Sequence, residues 1–114
     1  MSIRSINDEI NDIKTVLQRH GDFAAPADER DEIAAEWYEY GFRPAAVDDW
    51  LGAGVFLPQA AEDLIDYNIT PSEASRLSPK TVGLGSYTAS LGYKYCNGDI
   101  VIDAVVDAVR KEVA

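Results

Sequence analysis

The chain has 114 residues, 46% of them hydrophobic, with twenty acids against ten bases and a formal net charge of −10. That length fits one domain with a core of its own, and the hydrophobic content excludes disorder throughout. The charge disfavours nucleic-acid binding through the surface as a whole, because a phosphate backbone would be repelled.

Cys96 has no second cysteine within the chain to pair with, so neither an internal disulfide nor a cysteine-rich zinc site is expected. A reducing, cytoplasmic setting is the simplest context. No signal core is expected in Met1 to Glu9, and no apolar run approaches the roughly 18 residues of a membrane span. The charge is uneven: residues 22–75 hold thirteen acids against Arg30 and Arg43. Residues 76–98 hold three bases, Arg76, Lys80 and Lys94, and no acid.

Residues 5–20 are expected to form a helix, with Ser5 as its cap and Gly21 just past its end. Ile6, Ile10, Ile13 and Leu17 recur at four-three-four spacing, a narrow seam. Two uses fit such a seam: packing on the chain's own domain, or association with a second copy as a homodimer. The expected organisation is an N-terminal helix over 1–20 and a single helical domain over 21–114. A short linker, 21–27, leads to a second helix from Asp28 to Tyr40. Its first turn is acidic, which suits the helix dipole. Ile33, Ala34, Trp37 and Phe42 supply its apolar stripe, and Gly41 ends it.

From Phe42 onward one phrase occurs three times: Phe42-x-Pro44-x-x-Val47, Phe56-x-Pro58-x-x-Ala61 and Ile69-x-Pro71-x-x-Ala74. Proline suits the first position of a helix, where its missing N–H needs no partner. The apolar residue two before each proline can then pack on the one three after it, a hydrophobic staple. This places Phe42 on Val47, Phe56 on Ala61 and Ile69 on Ala74, with Phe56 in the core. Trp50, Leu64 and Leu77 follow one turn later. Gly41, Gly52, Gly54 and Asn68 tolerate the turns between units. Thr70 is a good cap, whereas Arg43 and Leu57 are poor ones.

In the last third, Asn97-Gly98 lies between apolar runs, as in a β-hairpin. It equally suits the end of a helix over about 87–96, followed by a helix from Ile102 to Val113. The expected fold is all-α, a compact bundle of six or seven short helices with repeated Pro-initiated helix-turn-helix units. The alternative is α+β with a C-terminal hairpin at Asn97-Gly98.

The inventory for chemistry is thin. His20 ends the first helix, where a cation is favoured, and Cys96 has no base beside it in sequence. No nucleophile–base set, no metal site and no cofactor site is expected, and hence no enzyme. Lys80, Gly83, Gly85 and Ser86 precede a helix but lack phosphate-loop spacing. Residues 60–77 have a helix-turn-helix outline, yet the second helix carries Glu73 and a lone base, Arg76. The leading expectation is a non-enzymatic acidic protein-interaction module, including an inhibitor that mimics nucleic acid. Its candidate face is Asp48, Asp49, Glu62, Asp63 and Asp66, and its partner a basic protein surface rather than a membrane or nucleic acid. The alternative is a small nucleic-acid-binding regulator using Arg76, Lys80, Tyr87, Tyr93 and Lys94.

Overall fold

The computed structural model describes residues 6–21, 24–77 and 89–113 of the chain. Among them are seven α-helices: α1 Ile6–His20, α2 Arg30–Glu39, α3 Pro44–Gly52, α4 Pro58–Asp66, α5 Pro71–Ala74, α6 Leu91–Cys96 and α7 Ile102–Val113. A single 3-10 turn, Ala27–Glu29, leads into α2, so the helix expected from Asp28 tightens before it becomes α-helical. No strand occurs among the described residues; the nearest feature is one isolated bridge between Leu77 and Ser90. The fold is all-α.

All three prolines stand where the repeated phrase puts them, at the first position of α3, α4 and α5. In each start the apolar residue three after proline donates its N–H to the carbonyl just before it: Val47 to Arg43, Ala61 to Leu57, Ala74 to Thr70. Only α5 has a side-chain cap among these three. Thr70 Oγ1 accepts from the Glu73 N–H at 3.2 Å, and the Glu73 carboxylate accepts from the Thr70 N–H at 3.0 Å. Arg43 and Leu57 make no such bond, so apolar packing must hold those two starts.

The helix ends carry a second device, which the first part of the phrase conceals. α2, α3 and α4 finish in the same left-handed cap, at Gly41 (φ 90°), Gly54 (φ 89°) and Asn68 (φ 61°). In each, the next residue's N–H returns to a carbonyl five back: Phe42 to Trp37 at 3.1 Å, Val55 to Trp50 at 2.9 Å, Ile69 to Leu64 at 2.9 Å. The capping residue's own N–H bonds three back, to Tyr38, Leu51 and Ile65. This pattern satisfies the last carbonyls and brings the residue after the cap onto the helix it has just left. Phe42 meets Trp37 edge-on, with ring centroids 5.0 Å apart.

Phe42 and Ile69 also stand two before the next proline, the staple position, and both are buried. The middle unit has one more residue, which accounts for a step of fourteen instead of thirteen. There Val55 closes α3 and is fully buried, while Phe56, before α4, is half-buried and leans on Tyr93. The expected core position of Phe56 thus belongs to Val55.

The core is continuous. Ile13 and Leu17 of α1, Trp37 of α2, Val47 and Leu51 of α3, Leu64 of α4, Leu91 of α6 and Val105 of α7 are all fully or almost fully buried. α1 packs on α2 and α3, and α6 joins α5 to α7. The seating of α6 is close. Ser90 caps it, accepting from the Tyr93 N–H at 3.1 Å and donating to the Ala53 carbonyl at 2.7 Å. Gly92 faces the same turn: a Cβ there would lie 2.6 Å from Val55 Cγ2 and 3.0 Å from the Ala53 oxygen.

Asn97-Gly98 ends α6 rather than turning a hairpin. Gly98 is left-handed (φ 82°), and Asp99 N–H returns to the Lys94 carbonyl at 2.9 Å. A helical Tyr93–Cys96 cannot supply the first strand that the hairpin alternative needs. The helix here is shorter than expected, beginning at Leu91.

Candidate functional site

The five candidate acids fall on α3 and α4 but do not share one condition. Asp48 lies under the C-terminus of α1. Its Oδ1 is 2.7 Å from His20 Nε2, and its Oδ2 is 3.7 Å from Arg19. The sequence offers Asp48 no base nearby; the docking of α1 on α3 supplies both, and places them where the helix dipole favours cations. Asp63 is also engaged. Its Oδ2 accepts from the Tyr95 hydroxyl at 2.7 Å and its Oδ1 from Gln59 Nε2 at 3.1 Å. Gln59 Oε1 in turn accepts from the Tyr40 hydroxyl at 2.6 Å, so a polar chain ties the end of α2 through α4 to α6. Asp49, Glu62 and Asp66 differ: among the described residues no ion pair or hydrogen bond reaches their side chains. Asp49 and Asp66 are exposed and Glu62 is half-exposed.

Of the alternative nucleic-acid face, Arg76, Tyr93 and Lys94 are among the described residues. Lys94 is fully buried, and a buried ammonium cannot reach a phosphate. Tyr93 packs against Phe56, with ring centroids 5.9 Å apart. Arg76 is half-buried and donates to the Val109 carbonyl at 3.4 Å. Lys80 and Tyr87 lie outside the described residues, as do Gly83, Gly85 and Ser86 of the candidate anion loop. The seam of α1 divides likewise: Ile13 and Leu17 are fully buried in the chain's own core, Ile10 is packed at its edge, and Ile6 is 59% exposed.

Tyr95 and Cys96 sit side by side at the end of α6. Burial, then the hydrogen bond to Asp63, pushes the Tyr95 phenol from 10.0 up to about 12. Burial also pushes the Cys96 thiol up, against backbone hydrogen bonds from Phe56 and Leu57 that pull it down. A phenol and a thiol held protonated are poor nucleophiles. Among the described residues no group of three or more His, Cys, Asp or Glu side chains could hold a metal ion. No described helix is long and apolar enough to cross a membrane.

The raised phenol gives a sign for pH dependence. The native state favours the neutral phenol, so its contribution is complete below pH 10 and is lost as pH rises towards 12. Tyr95→Phe should therefore flatten the stability decline between pH 10 and 12 relative to the parent, as read by urea midpoints at each pH. Parallel curves for the two proteins would mean that the Tyr95–Asp63 bond is not maintained in solution.

Two open clefts flank α4. One, about 480 Å³, is lined by Leu57, Ala60, Asp63, Tyr95, Cys96 and Val101 among others. The other, about 470 Å³, lies between α3 and the end of α4, and includes Ala46, Asp49, Trp50, Ile65 and Ile69. Sequence reasoning missed this second cleft. Its signal was Ile65, a large apolar residue beside an acid near the end of a short helix.

No protein-family model matches the chain, and no curated protein or solved structure matches it.

Proposed function

We propose that this chain is a non-enzymatic interaction module whose acidic α3–α4 face docks on a basic protein partner. The observation that carries this reading is the state of Asp49, Glu62 and Asp66, whose carboxylates gain no partner from the fold among the described residues. Like charge on adjacent short helices costs stability through self-repulsion. No lysine or arginine lies between Pro44 and Ser75 to relieve it. Basic surfaces that bind nucleic acid are natural partners, so an inhibitor that mimics nucleic acid falls within this reading. A cytoplasmic setting suits it, since Cys96 would stay reduced there. Self-association is not part of it, because Ile13 and Leu17 are used within the chain.

The test is affinity capture with mass spectrometry, followed by kinetics on the captured partner. The on-rate should fall as salt rises, since the screening length drops from about 10 Å at 0.1 M to about 3 Å at 1 M. Neutralising Asp49→Asn, Glu62→Gln and Asp66→Asn together should leave the fold at least as stable and slow association by about tenfold or more. Asp48 and Asp63 are left intact because both are tied into the fold. A partner bound equally fast by the neutralised chain, with the same salt dependence, would overturn the reading and leave the charge a solubility feature.

A further inference from the structure

We infer that the cleft between α3 and α4 seats an apolar side chain carried on a basic segment of another protein. The inference rests on the acidic-face reading and adds to it where, and by what second chemistry, the partner is held. Ala46, Trp50 and Ile69 form the apolar floor of the cleft, with Trp50 and Ile69 contributing only their last few per cent of exposed surface. Ile65 forms a wall and is 46% exposed. A large apolar side chain exposed over an apolar-floored concavity marks a contact surface more often than the same residue standing alone on a convex one.

The charge around the cleft selects its occupant. Asp49 lines it, Asp66 adjoins Ile65 in the chain, and neither carboxylate is paired among the described residues. An acidic segment would be repelled, and a neutral apolar one would leave the Asp49 carboxylate beside a dry contact without compensation. A segment with lysine or arginine flanking an apolar residue meets both demands, its long aliphatic stems lying over Ile65 while the cations reach Asp49 and Asp66. The cleft on the other side of α4 does not make this selection. Leu57 and Val101 are exposed there as well, but its acid, Asp63, is held by Tyr95 and Gln59.

Three synthetic peptides of equal length, titrated into the full chain with amide-resolved NMR, test the inference. One alternates lysine and leucine, one replaces each leucine by serine, and one keeps the leucines but replaces each lysine by glutamine. The lysine–leucine peptide should bind at least about tenfold tighter than the lysine–serine peptide and perturb the amides of Ala46, Ile65, Asn68 and Ile69; the glutamine peptide should not bind. Ile65→Ser should bring the first affinity down to the second and leave the second unchanged. Asp49→Asn with Asp66→Asn should weaken both charged peptides. Equal binding of the two charged peptides, or perturbations centred elsewhere, overturns the cleft while the acidic face stands. Binding of the glutamine peptide as tightly as the lysine–leucine peptide overturns the basic occupant. No binding by either charged peptide overturns the acidic face, and the cleft with it.

Discussion

Gly54→Ala should destabilise the protein by about 2–5 kcal/mol, and Gly41→Ala by only about 1–2 kcal/mol. Both glycines cap a helix in the left-handed region, so an added Cβ costs each of them the same backbone strain. Their surroundings differ. Nothing lies within 4 Å of the Cβ position at Gly41. At Gly54 the same atom would lie 2.5 Å from Ser90 Oγ and 2.9 Å from Tyr93 Cβ. The serine is fixed by two hydrogen bonds, as cap of α6 and as donor to Ala53, so it cannot swing aside without uncapping that helix. The loss at Gly54 is a large share of the roughly 5–15 kcal/mol that holds a domain together. Urea midpoints for the two variants decide the matter: equal losses would show that α6 is not seated on the α3–α4 turn.

Trp37→Ala should cost about 3–5 kcal/mol, the usual range for emptying a buried aromatic site. Trp37 is fully buried, its carbonyl accepts from the Phe42 N–H, and its ring meets Phe42 edge-on. Removing it therefore opens the core and strips the apolar contact from the cap that ends α2. Trp37→Phe should cost about half of that or less. The indole N–H is buried with no acceptor among the described residues, so phenylalanine gives up no hydrogen bond and keeps most of the ring. If the phenylalanine variant fell as far as the alanine variant, the indole nitrogen would have a partner in solution, such as a bound water.

Much of the middle of the fold is legible in the sequence because proline and glycine act locally. Pro44, Pro58 and Pro71 fix helix starts through covalent geometry, whatever surrounds them. What the phrase does not show is that Phe42 and Ile69, at the staple positions, also close the helix before. Nor does it show that the extra residue at Val55–Phe56 splits those duties, because both are apolar and only burial tells them apart. The candidate site was legible only in part for a different reason. Asp48 and Asp49 are neighbours in sequence, yet the arrival of α1 pairs one and spares the other. Asp63 becomes an acceptor for Tyr95, thirty-two residues away. Lys94 reads as a surface cation from its neighbours, yet it is fully buried. Such outcomes depend on which helices meet, and helix-meeting angles are not written in any one segment.

The bond from Ser90 to the Ala53 carbonyl joins residues thirty-seven apart, whereas each Pro-initiated turn closes within a few residues. Closing the longer span costs more chain entropy, about 0.6 kcal/mol for each doubling of loop length. The α2–α5 turns can thus assemble early from contacts near in sequence, and the seating of α6 should come late. Gly92→Ala, which disturbs only that seating, should leave the refolding rate nearly unchanged and speed unfolding, so that stopped-flow chevrons shift on one arm. A slowed refolding arm would place α6 in the folding nucleus. On this account the lifetime of the native state, more than the speed of reaching it, is set by how closely a helix without a side chain at Gly92 can approach the turn at Val55.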